Sequence, residues 1–501
     1  MNLTDIKEFL GTPWAIVLGI FFLCASILIH ELGHFLVARW RGLVVERFSI
    51  GFGPRLFGWE HNGVDYRVSA IPLGGYVALP QLAGVRGAEG GASEYDAEAL
   101  PPLSMWDKIL VSLAGPAFNV LFALLLGCIL WMTGRPVPAS ERTTSIGYVA
   151  QELSGAEGER FPGPAWQAGL RPGDRILSID GRPVEDWYGV AQAIATGSGQ
   201  NSDGRRETLL SIEREGQILS LVANPVASPA TGLREIGVLP ERAAVVGAVF
   251  ANSPAEKAGL MPGDVIVGAD GQEIHHILAV GRLVSQTPPA PHTLSLLRGE
   301  KSLTVTLTPE IVSDNGAQRP MIGVRWGDEP RATVYQNPVK LVWNVIYMTF
   351  DVLRALVNPR SDISVSDMSG PVGITHALIA SAKTSTAMLL FFVLFINVNL
   401  AFVNLLPVPV LDGGHIAFAL VEKIVGKPVP QRILAGSQTA FMALLLCLMA
   451  YITLHDIFRE IDIFRSNREV EKAEKTPPPV FTEEAPAPAK APAEAPAGDG
   501  R

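Results

Sequence analysis

His30-Glu31-Leu32-Gly33-His34 sets two imidazoles and a carboxylate inside an otherwise uncharged apolar segment. On a helix, residues i and i+4 share a face, so His30 and His34 can offer two nitrogens to one Zn²⁺. Glu31, beside them, is placed to take a proton from metal-bound water. Trp14 to Ile29 carries no charge, Phe35-Leu36-Val37-Ala38 continues the run, and Arg39 and Arg41 end it. The 25 residues from Trp14 to Ala38 can cross a bilayer core with some tilt. Ionisable side chains are costly in lipid, which favours a working site over a chance match to a short motif.

Two histidines leave zinc short of ligands, since a catalytic site uses three protein ligands and keeps a position for water. The candidate third ligand is Asp412, in the stretch Asn404-Leu405-Leu406-Pro407-Val408-Pro409-Val410-Leu411-Asp412-Gly413-Gly414-His415. Two prolines cannot continue a regular helix, and lipid tolerates the freed backbone groups only around a lined cavity. A buried Asp at such a break needs a partner. His415 is the rival ligand, or else a neighbour of the site. Asp412 as a simple helix cap is the reading that needs no metal.

The elements that must position these residues follow from hydropathy. Ile109 to Met132 is uncharged, broken only by Gly115-Pro116 and Asn119. Thr384 to Leu411 has no charge but holds Asn397, Asn399, Asn404, Pro407 and Pro409, and Ile433 to Leu454 is again uncharged. With the first segment these make four spans, assigned to residues 1–38, 109–134, 384–424 and 430–456. Asp5, Lys7 and Glu8 precede the first span instead of a basic cluster, and no small-residue cleavage site precedes Arg39. A retained transmembrane helix is therefore expected there, not a signal peptide. Arg39, Arg41, Arg47, Arg55 and Arg67 crowd the loop after it, and Lys423, Lys427 and Arg432 precede the last span. The positive-inside rule puts those loops in the cytoplasm and both termini outside.

A net charge of −9 without a basic stripe argues against nucleic-acid binding. Cys24, Cys128 and Cys447 each sit in an apolar span, which gives neither a disulfide framework nor a cysteine zinc site.

Between the second and third spans a motif repeats. Pro164-Ala165-Trp166-Gln167-Ala168-Gly169-Leu170-Arg171-Pro172-Gly173-Asp174 returns 90 residues later as Pro254-Ala255-Glu256-Lys257-Ala258-Gly259-Leu260-Met261-Pro262-Gly263-Asp264. The match continues through Ile176/Ile266 and Asp180-Gly181/Asp270-Gly271. Each copy reads as a short helix, a turn, a strand and a tight Asp-Gly turn. The repeat resembles tandem PDZ domains of the bacterial, circularly permuted type, placed at 144–226 and 234–311. Such domains bind peptide ends by strand addition, although two caps that merely exclude by size would look the same. Within the cytoplasmic-side loop 39–108, Arg47 to Leu79 reads as β structure. Residues 333–383 read as an interfacial helix and linker. The Pro/Ala/Glu/Lys-rich tail, 468–501, reads as disordered.

Taken together, the chain resembles the site-2 proteases, intramembrane zinc metalloproteases, in particular the bacterial regulator-of-sigma-E protease type. His30-Glu31-Leu32-Gly33-His34 matches that family's first motif, and Asn404 to Gly413 its second, with Asp412 at the third ligand position. Gly115-Pro116-Ala117-Phe118-Asn119 resembles a further element, and Ile71-Pro72-Leu73-Gly74-Gly75-Tyr76-Val77 a re-entrant β-loop. The resemblance implies a polytopic α-helical membrane protein with four transmembrane helices, a membrane-associated β-loop and two inserted α+β PDZ domains. It would lie multi-pass in the bacterial inner membrane with the PDZ domains extracytoplasmic. It implies cleavage of single-span membrane proteins already trimmed by another protease, such as anti-sigma factors, and of remnant signal peptides. Asn119 and Asn404 would bind the substrate backbone or steady the site, and Gly74-Gly75 would offer a sheet edge to the opened substrate. Two rivals remain: a catalytically inactive membrane-anchored PDZ scaffold, which predicts a lost Glu or ligand, and a metal transporter, which predicts a repeated membrane half.

Overall fold

The computed structural model describes residues 13–82 and 100–475, apart from 102, 156–158, 198, 229–231, 286–288, 315–316 and 366–367. Among them, four helices are long and apolar enough to cross a membrane. The first, α1 (Pro13–Trp40), lies against α2 (Met105–Thr133). The two come close because residue 33 is glycine: a Cβ there would lie 2.5 Å from the Ala114 carbonyl oxygen. Ser104 and Asp107 start α2 with a reciprocal capping box, so its first turn keeps its backbone donors satisfied.

The amphipathic helix α3 (Pro338–Val357) and helix α4 (Pro371–Thr384) precede the third span, α5 (Thr386–Asn404). Residues 371–384, expected as part of a linker, are thus helical. Their N-terminus is capped from outside: the Gly373 amide donates to Asp456 Oδ2 at 2.9 Å, a carboxylate on the last span. The apolar core of this region joins Leu126 and Leu130 of α2, Leu341 and Val345 of α3, Ile379 of α4 and Leu394 of α5. Two asparagines that looked out of place in an apolar span serve as cross-links. Asn397 donates to Ser26 of α1 at 2.9 Å, and Asn399 accepts from Thr349 of α3 at 2.9 Å.

The third span was expected to run over 384–424, but α5 stops at Asn404. An irregular stretch carries Pro407 and Pro409 before α6 (Asp412–Val425) begins. The prolines cannot supply the amides a helix needs. The stretch folds tightly onto the next helix: a Cβ on Gly413 would meet the Leu405 and Leu406 carbonyl oxygens at 2.3 Å each. The last helix, α7 (Gln431–Lys475), extends past the expected start of the tail at 468, and residues 476–501 lie outside those described.

After α1 the chain makes β1 (Arg47–His61) and β2 (Val64–Ala78), joined by Asn62 and Gly63 at φ +49° and +73°. Each strand is used twice. Residues 47–50 lie between 75–78 on one side and 65–68 on the other, while 57–61 pair with 64–68.

A ladder between Arg135–Pro138 and Arg331–Val334 forms the stem of the insert. Above it stand two α+β units built alike. In the first, Arg214 grips Asp174 through Nε and Nη2 at 2.6 and 2.7 Å and also donates to the Gly169 carbonyl. Arg298 repeats this on Asp264 and Gly259 in the second. Ile236-Gly237-Val238 closes the first unit, the Ala150 amide donating to the Gly237 carbonyl and Val238 pairing with Val149. Ile322-Gly323-Val324 closes the second in the same way against Phe250 and Val249. Both units therefore run past the expected ends at 226 and 311, and residues from 234 to 240 belong to the first. The closing strand returns to pair with the opening one, a non-local contact that leaves no turn signal in the sequence. The first unit docks on the membrane region by ion pairs, Arg182 with Asp351 of α3 at 2.8 Å and Arg206 with Asp362 at 2.8 Å; Arg234 also pairs with Asp362.

Candidate metal centre

His30 and His34 stand one turn apart on α1 and face α2, where Gly115 leaves room for both rings. A Cβ at 115 would fall 2.3 Å from His34 Nε2 and 2.7 Å from His30 Cε1. Asp412, the first residue of α6, arrives from the other side. His30 Nε2 lies 3.2 Å from His34 Nε2 and 3.2 Å from Asp412 Oδ2, and His34 Nε2 lies 3.4 Å from Asp412 Oδ1. These are the spacings of ligand atoms around one small cation, since bonds of about 2.0–2.1 Å in a tetrahedron give edges of about 3.3 Å. Asp412 Oδ2 is buried and has no hydrogen-bond partner of good geometry, the condition of an oxygen built to face a cation. The set His30, His34 and Asp412 can hold a metal ion, with its ligand atoms within 4.8 Å of one another.

The remaining ring nitrogens are tied back. His34 Nδ1 donates to the Val111 carbonyl at 2.7 Å, which leaves the Nε2 lone pair free. Pro116, lacking an N–H, loosens α2 in the same turn. The fully buried Asn119 meets His30 Nδ1 through its amide Nδ2 at 3.2 Å, while its Oδ1 has no partner. With the oxygen turned to the ring, the amide accepts the Nδ1–H and fixes the His30 tautomer as well. Asn119 therefore reaches His30 and does not line the cavity. Asn404, at the end of α5, comes within 3.4 Å of His30 Nε2 and lines it.

A cavity of ≈ 770 Å³ opens at the cluster, and Glu31, Gly74, Gly75, Asn404 and His415 all border it. Glu31 is brought against β2 by a second glycine contact: a Cβ on Gly75 would lie 3.2 Å from Glu31 Cγ. His415 shares the cavity but lies outside the three-residue cluster. Sequence reasoning passed over Gly33 and the steric role of Gly115. The available signal was small residues at the places where two apolar helices must meet closely.

The model of "Peptidase family M50" matches residues 18–448. The "Regulator of sigma E protease" of Salmonella typhi is 31% identical over 479 residues, covering 90% of this chain and 100% of that protein. The "Regulator of sigma-E protease RseP" of Escherichia coli is 30% identical over 479 residues, covering 89% and 99%. A "Regulator of sigma E protease" of Haemophilus influenzae is 30% identical over 467 residues, covering 88% and 98%.

Proposed function

The chain belongs to peptidase family M50, is a membrane protein and a zinc-dependent metalloprotease, and on that premise we propose that it hydrolyses peptide bonds of single-span membrane proteins within or beside the bilayer. His30, His34 and Asp412 are the residues that would hold zinc. When bound, the metal polarises the scissile carbonyl and lowers the pKa of water. The protein's own groups do the rest. Glu31 is the general base that takes the proton of the attacking water and delivers it to the leaving amine. His34 is held in its ligating tautomer by the Val111 carbonyl, and Asn119, with its oxygen turned to the ring, would hold His30 likewise. Asn404 and the strand edge at Gly74-Gly75 hold the opened substrate. Residues 75–78 are paired with 47–50 on one side only, and Gly74 to Val77 border the cavity with the other.

The observation that carries this reading is convergence. Three ligand atoms, an unpaired carboxylate oxygen and a strand edge meet at one cavity among membrane helices. An inactive scaffold would have lost the base or a ligand, and all four residues are present.

We assign the two inserted units to PDZ domains of the circularly permuted type, bound to peptide ends on the extracytoplasmic side. Their support is the repeated motif and the repeated closing strand. The hairpin β1–β2, with Leu56, Phe57 and Trp59 exposed, is assigned to the membrane face. The proposed setting is the bacterial inner membrane, with both termini extracytoplasmic and anti-sigma-factor-like proteins as the substrate class.

Glu31→Gln tests the core of the proposal. The amide keeps the volume but cannot accept the proton, so the variant should retain zinc and lose cleavage of a single-span reporter. Cleavage at the wild-type rate would remove Glu31 from the mechanism.

A further inference from the structure

Serine and threonine hydroxyls in these membrane helices follow one habit. Ser26 donates to the Phe22 carbonyl, Thr349 to Val345, Ser381 to Ala377 and Thr453 to Met449. Such back-bonding satisfies a polar group that lipid cannot. Beyond the first turn of each helix, the described side chains contain two exceptions, Ser112 on α2 and Thr439 on α7. Beside Thr439, the Gln438 amide likewise makes no hydrogen bond among the described residues. All three border the catalytic cavity. Ser112 does so although only 4% of it is exposed.

The placement on α7 is regular. Gln438, Met442 and Leu446 are spaced by four, as are Thr439 and Ala443, so one face of the helix forms this wall. Polar groups occupy its N-terminal end and apolar ones the rest. A glutamine amide left unpaired in a membrane span is costly, and it persists where something arrives to pair with it.

We propose that Gln438 and Thr439, with Ser112, form a second backbone-binding wall that pairs with the substrate's peptide groups once its helix has opened. An extended segment has hydrogen-bonding groups along both edges. The β2 edge at Gly74 to Val77 can satisfy only one of them. Against a purely apolar wall the other edge would be left bare, at a cost for each unpaired amide that opposes unwinding. Gln438 both donates and accepts, and the two hydroxyls do likewise, so the wall reads main chain and tolerates varied side chains. These are positioning residues, and the inference rests on the proteolysis proposed above.

The test is a coupling experiment on the full chain in lipid nanodiscs. The probe is a synthetic Leu/Ala single-span peptide, together with versions in which one amide near the cut bond is replaced by an ester that lacks the N–H. Cleavage of the all-amide probe by wild type tests the proteolysis reading by itself. The combined variant Gln438→Leu, Thr439→Val should then lower kcat/KM roughly tenfold with zinc content and melting unchanged, and Gln438→Asn, Thr439→Ser should recover most of it. At least one ester should cost wild type a similar factor and cost the Leu/Val variant almost nothing, because the bond it removes is already gone. Should the Leu/Val variant lose zinc, Ser112→Ala carries the same cycle. Undiminished cleavage by the variants, or ester and side-chain effects that simply multiply at every position, would overturn the proposal.

Discussion

Gly115 of α2 faces His34 so closely that a single methyl group at residue 115 would lie 2.3 Å from its Nε2. The backbone carbonyl that fixes His34, that of Val111, is on the same helix. The depth at which α1 sits against α2 therefore sets the position of both imidazoles. Gly115→Ala should force the rings away and lower zinc occupancy and cleavage roughly tenfold or more. Gly127→Ala, where the added Cβ would meet Pro338 at 3.2 Å and far from the cluster, is the control that should keep its zinc.

Asp412→Asn should weaken zinc binding and activity together, since a neutral amide is a poorer ligand than a carboxylate for this ion. His415→Ala should keep its zinc, because His415 borders the cavity without joining the cluster. Metal stoichiometry of the two purified variants decides the matter, and the reverse pattern would move the third-ligand role to His415.

In the second inserted unit, the Arg298 hydrogen bonds hold the buried Asp264 carboxyl below the usual carboxylate range, helped by the Met261 amide. A carboxyl whose pKa is lower folded than unfolded stabilises the fold above about pH 4, and that contribution fades as pH falls further. Asp264→Asn should destabilise this unit at neutral pH, because the charge-assisted bonds from Arg298 and the Met261 amide are weakened. It should also flatten the acid dependence as pH falls below about 4. Hydrogen exchange resolved to residues 244–326 in the intact chain would report both effects.

The inserted units should gate access and leave chemistry alone. The ladder between Arg135–Pro138 and Arg331–Val334 brings the two ends of the insert together, so residues 141–328 can be replaced by a short Gly-Ser linker. The shortened protein should cleave a trimmed single-span substrate and should lose its discrimination against one that carries a folded ectodomain. Zinc content guards against misfolding. Unchanged rejection of the larger substrate by a zinc-loaded deletion variant would sink the gating role.

The candidate metal-binding stretch was legible because its geometry is local. The spacing of His30 and His34 places two nitrogens on one helical face whatever surrounds them, and charge-free runs of twenty or more residues can hardly be anything but spans. The repeat around Asp174 and Asp264 was legible for the same reason. Asp412 could be nominated only as the acid beside a broken helix, because 378 residues separate it from His34 and no spacing rule reaches that far.

What the tertiary structure alone decided is where non-local packing acts. It turned the Asn119 amide onto His30, ended α5 at Asn404, and made residues 371–384 a helix capped by Asp456. It also returned Val238–Pro240 to the first unit and set Gly33 and Gly115 against their neighbours. In each case the energy comes from a contact with a distant segment: a hydrogen bond, a ladder, or the space left by a missing Cβ. Sequence periodicity records how a residue relates to its own element, and it is silent on which element will lie opposite.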